Sequence, residues 1–187
     1  WELYAMWAWV TVFLGDVVAR SSSGLDPSLL GFVVIGSGAV GAVVAGVVGD
    51  RVTKERSAMS AMVASGSVAL VIGWSALPVW VVVALAVVWG ITVVADSAQF
   101  SAIVSERAEQ AYVGTALTVQ LAVGFLLTVT TIWLVPYLRD ESGWWLAFAV
   151  LAPGPLLGAV AMRSLDRTAS GRLQRDRVQP AVAEPKP

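Results

Sequence analysis

The chain has 187 residues, 57% of them apolar and only 13% charged, with a net charge of −1. A water-soluble domain carries about 25% charged residues because its surface must be hydrated, so this composition argues against a soluble globule and offers no electrostatic basis for binding nucleic acid. Cysteine and histidine are both absent, which excludes disulfides, thiolate nucleophiles and Cys-based metal sites and removes the commonest general base.

The charge is also unevenly placed. Residues 27–49, 57–95, 113–138 and 143–162 carry none, and about 20 apolar residues in a helix cross the roughly 30 Å hydrocarbon core of a bilayer. Six spans are predicted in chain order, over about 1–19, 27–49, 58–76, 79–101, 113–137 and 144–162. The second opens with Asp26-Pro27, an N-cap followed by proline in the first helical position. Leu77-Pro78 breaks the third span from the fourth. Valine is abundant and favours sheets in soluble proteins, but these runs do not alternate in polarity. Long apolar segments in lipid must satisfy their backbone internally, which selects helix. Residues 164–187 are rich in Arg, Gln and Pro and are expected to form a disordered tail.

Alternating spans place Arg51, Lys54, Arg56, Arg107, Arg163, Arg167, Arg172, Arg175, Arg177 and Lys186 on one side, leaving Arg20 and Arg139 on the other. The positive-inside rule makes the first side cytoplasmic, with both ends of the chain facing the cytosol of a plasma (inner) membrane. Trp74, Trp80, Trp133, Tyr137, Trp144 and Trp145 then fall near the outer boundary, where an aromatic belt belongs. The tail arginines are expected to lie against anionic lipid headgroups.

Residues 33–41 (VVIGSGAVG) have the form of a dinucleotide fingerprint. No acidic residue follows about 20 positions later and no strand–helix units surround it, so a cofactor is not expected. Gly38, Ala42 and Gly46 recur every four residues, as do Gly41, Ala45 and Gly49. Small residues at this spacing let membrane helices approach closely.

The next loop carries a family signal. Gly46-Val-Val-Gly49-Asp50-Arg51-Val-Thr53-Lys54-Glu55-Arg56 resembles the G-x-x-x-D-R-x-G-R-[KR] loop between the second and third helices of each half of major facilitator superfamily transporters. Thr53 stands where that pattern has Gly and Lys54 where it has Arg. Residues 1–7 (WELYAMW), 95–101 (ADSAQFS) and 114–118 (GTALT) are also similar to bacterial members. The resemblance covers residues 1–163. It implies an all-α membrane fold with six transmembrane helices in a 3+3 inverted repeat, forming the C-terminal half of a twelve-helix transporter. Trp1 as first residue and the basic tail fit a fragment of that kind. The implied partners are the N-terminal six-helix half, membrane lipid and a small-molecule solute. The implied function is secondary active transport by alternating access. An orphan six-helix subunit or scaffold that needs a partner is the alternative.

Charges inside spans are costly, so the few present are candidates for solute binding or proton coupling. Glu2, with Tyr4 and Trp7, lies near the inner end of the first helix, Asp96 and Gln99 in the inner third of the fourth, and Gln120 at similar depth in the fifth. The resemblance implies that the first and fourth helices line the pathway, so Glu2, Asp96 and Gln99 are expected to meet at its cytosolic side. It also implies that Gly46, Asp50, Arg51, Lys54 and Arg56 form a cytoplasmic gating loop, with Asp50 near a helix N-terminus of the other half. No catalytic motif such as G-x-S-x-G or H-E-x-x-H is present, so no enzyme is expected.

Overall fold

A computed structural model describes residues 1–178, apart from the side chains of Ala98 and residues 168–178. Among the described residues there are helices and turns and no strand. The helices are α1 (Leu3–Ser21), α2 (Pro27–Arg51), α3 (Lys54–Val71), α4 (Val79–Arg107), α5 (Val113–Ser142), α6 (Trp144–Ala149) and α7 (Pro153–Val178), with a 3-10 turn at Gln110–Tyr112.

The helix ends follow their local chemistry. Asp26 caps α2, its Oδ1 accepting from the Ser28 amide at 2.8 Å and the Leu29 amide at 3.4 Å. Thr53 caps α3 through the Arg56 amide. Ser22 and Gly24 adopt positive φ beyond α1, the left-handed geometry that ends many helices. The expected sixth span is interrupted at residues 150–152, between α6 and α7. Pro153 and Pro155 remove two backbone donors at that point, a signal that apolar length alone conceals.

Five stretches are long and apolar enough to cross a membrane: Leu3–Ser21, Pro27–Arg51, Val79–Arg107, Gln110–Ser142 and Trp144–Arg167. The third expected span is not among them. Helix α3 begins with Lys54, Glu55 and Arg56, ends at Val71, and is rich in Ser, Ala and Gly. It packs mainly against α4 and α7. Helix α7 stays helical through Val178, where the sequence predicts a disordered tail from residue 164; residues 179–187 of that tail lie outside the described residues.

Helix α2 packs most extensively on α4. A Cβ at Gly41 would run into the Ile91 carbonyl, and one at Gly90 into the Val34 carbonyl. These glycines therefore let the two backbones meet, the close approach anticipated from the small residues of α2. Gly38, Gly41, Ala45 and Gly49 are buried, whereas Gly46 has nothing within 4 Å of a Cβ. The opposite face of α2 exposes Phe32, Val40, Val43 and Val47.

The two ends of the bundle differ in chemistry. At one end, Lys54 pairs with Glu106 and Arg107 with Glu55, joining α3 to α4. Arg56 Nε lies 3.1 Å from Asp166 Oδ2, adding α7. At the other end Phe13, Trp144 and Phe148 pack with centroids 5.0–5.3 Å apart, and Trp89 reaches Phe148 at 5.0 Å. Above them, Asp16 Oδ2 accepts from Arg139 Nη2 at 2.8 Å and Trp144 Nε1 at 2.9 Å. Of the six residues assigned to an aromatic belt, Trp74, Trp80, Trp133, Tyr137 and Trp145 are exposed. Trp144 is instead buried in the core, because Asp16 and Phe148 draw it inward.

Candidate functional site

The ion pairs between α3 and α4 set an antiparallel register. Ser65 lies eleven residues past Lys54, and Asp96 eleven residues before Arg107, each about 16 Å along its helix at 1.5 Å per residue. Glu2 sits at this depth. Its Oε2 accepts from Ser65 Oγ at 3.0 Å and its Oε1 from Trp89 Nε1 at 2.5 Å. Glu2 is therefore halfway along the bundle rather than at its ionic end, because α1 meets α3 and α4 near their middles. Only 5% of the residue is exposed.

Asp96 occupies the same region. It is 9% exposed, and its Oδ1 accepts from the adjacent Ser97 hydroxyl at 3.0 Å. Both carboxylates line a cavity of about 440 Å³, with Leu3, Met62, Val93 and Phe100 among its apolar walls. Trp1 lines this cavity too. A second cavity of about 310 Å³ adjoins the first, since Trp1, Leu3, Ser97 and Phe100 line both. Tyr4, Gln120 and Phe125 complete it. The Tyr4 ring contacts Trp7 at 5.5 Å and Phe125 at 5.4 Å between centroids. The Gln120 side-chain oxygen is buried without a hydrogen-bond partner, as is Trp7 Nε1.

Glu2, Asp96, Tyr4 and Gln120 are thus gathered around two joined cavities. Gln99 is not. It is 4% exposed and faces α2, where a Cβ on Gly49 would lie 2.8 Å from its Oε1. It therefore fills the notch left by that glycine, and the expected meeting of Glu2, Asp96 and Gln99 becomes a meeting of the two acids alone. Ser65 and Trp89, which hold Glu2, were not singled out from sequence. A Trp in mid-span facing an acid in another span was the available signal, but pairing them required the helix register.

In the loop that resembles the family pattern, Asp50 and Arg51 are exposed, and a Cβ on Gly46 would meet nothing within 4 Å. Lys54 and Arg56 are engaged within this chain, by Glu106 and Asp166. The charge-bearing segments 50–56, 106–107 and 163–167 converge on one end. No protein-family model matches the chain, and neither a curated protein nor a solved structure matches it. The fold and its apolar shell define a helical, multi-pass membrane protein.

Proposed function

We propose that this chain is the C-terminal six-helix half of a secondary active transporter of the major facilitator type. It moves a small solute across the cytoplasmic membrane by alternating access against an N-terminal half. One observation carries the reading: two carboxylates, Glu2 and Asp96, are buried at mid-bundle beside a cavity, inside a protein whose outer surface is apolar. An ionised group at that depth costs about 2.5–3.5 kcal/mol on insertion scales, a cost borne where the group binds solute or relays a proton. The 46–56 loop supports the family assignment. Exposed Asp50 and Arg51 are its free elements, available to engage the other half at the cytosolic face.

A second reading, an orphan six-helix subunit, draws on one contrary observation: Lys54 and Arg56 of the same loop are already satisfied within the chain. Counter-flow in proteoliposomes, using the full protein and a panel of solutes, separates the two. Exchange of a solute that falls at least tenfold in Asp96→Asn, with membrane insertion intact, supports the transporter. Absence of exchange for every solute favours the orphan subunit. An unchanged rate in Asp96→Asn removes that carboxylate from the mechanism.

A further inference from the structure

The groups lining the two joined cavities share one electrostatic character. Glu2 and Asp96 contribute carboxylates to the larger, and Gln120 contributes an unpartnered amide oxygen to the smaller. Aromatic rings stand at Trp1, Tyr4, Phe100 and Phe125, and among the described residues no lysine or arginine side chain lines either space. Around them the walls are Leu3, Met62, Val93 and Leu127. The combined space lies within the roughly 300–1,000 Å³ typical of pockets that enclose drug-sized molecules.

Each class of ligand meets these walls differently. An anion would meet carboxylates and the negative faces of the rings. A small inorganic cation would demand a tight shell of oxygens, and the walls are mostly hydrocarbon. A strongly hydrated polar solute would lose its water against Met62, Val93 and Leu127 with few replacement hydrogen bonds. An organic cation with an apolar body gains from every element. Its charge faces the acids, its body displaces water from the aliphatic wall, and the rings add cation–π attraction. Carboxylate and ring together also distinguish such a cation from a neutral molecule of the same shape.

We infer that the joined cavities between α1, α4, α5 and α7 bind an amphiphilic organic cation, with Asp96 as its counter-charge and Glu2 held beside it by Ser65 and Trp89. This inference rests on the transporter reading for its physiological meaning but has its own test.

Tetraphenylphosphonium, the isosteric anion tetraphenylborate and neutral triphenylphosphine oxide are titrated into the purified full protein in detergent, and binding is read by tryptophan fluorescence and calorimetry. The cation is expected to bind at least tenfold more tightly than the anion or the neutral molecule. Asp96→Asn is expected to remove that preference and Asp96→Glu to restore most of it, while exposed Glu109→Gln leaves it unchanged. Equal affinity for all three probes, or a cation preference that survives in Asp96→Asn, overturns the inference. Solute flux in proteoliposomes without cation preference also overturns it and leaves transport standing. Cation preference without flux of any solute supports the site and removes the transporter reading.

Discussion

The two halves of the bundle along its long axis solve opposite packing problems. Toward the Asp16 end, Phe13, Trp89 and Phe148 are no more than 1% exposed and meet edge to face. Such pairs add about 0.5–1.5 kcal/mol beyond burial, and the ring stack leaves no lining residue for either of the cavities described. Below Trp89 the same helices separate around open space, and two buried carboxylates, Glu2 and Asp96, enter among aromatic and aliphatic walls. Trp89 belongs to both regions, since its face packs on Phe148 while its Nε1 reaches down to Glu2. Close ring packing is concentrated toward one end of the molecule and candidate chemistry near its middle.

Phe148→Ala, Trp89→Phe and Asp16→Asn, in decreasing order of effect, test that division, with Leu127→Ala as the counterpart of the first. Phe148→Ala removes a fully buried ring that touches Phe13, Trp89 and Trp144. It should cost about 3–5 kcal/mol, visible as a large fall in Tm in detergent. Leu127→Ala, on the cavity wall and 46% exposed, should stay within about 0.5 kcal/mol. Comparable losses at both positions would erase the contrast. Trp89→Phe keeps the ring contact and deletes the donor to Glu2, leaving a buried carboxylate oxygen unpaired. A loss of about 1–3 kcal/mol is expected, and Glu2→Gln in the same background should recover part of it. No recovery would mean that the indole acts by packing alone. Asp16→Asn weakens the Arg139 pair at a partly exposed site and should cost only about 0.5–1 kcal/mol. A larger loss would make the Asp16–Arg139 anchor, rather than the ring stack, the keystone of that end.

Much of the architecture was legible in the residues. Apolar runs marked five of the six expected spans, Asp26-Pro27 marked a helix start, and the arginine distribution grouped the segments that converge on the ionic end. Rotation of each helix about its own axis was not legible. Helices α2 and α5 are apolar on nearly every side, so no polar stripe indicates which face is inward. For that reason Gly46 was assigned to a packing stripe although a Cβ there would meet nothing within 4 Å, and the rotation of α4, equally hidden, put Gln99 in the pathway although it faces Gly49. The depth of Glu2 was misjudged for a related reason. Position within a span measures depth only when all helices start level, and α1 meets its neighbours midway.

Helix α5 has an unequal seat. Its buried residues are Thr128, Thr131 and Val135, and none precedes Thr128. Its far end is tied through Arg139 to α1. Mechanically it is a cantilever, clamped at one end and carrying an arm of 15 residues, from Val113 to Leu127, none of them buried. At 1.5 Å per residue that arm is about 22 Å long, so a 10° swing about the clamp displaces Val113 by about 4 Å. Because Gln120 and Phe125 ride on the arm, a small angular change at one boundary of the protein resizes the chamber they border near its middle.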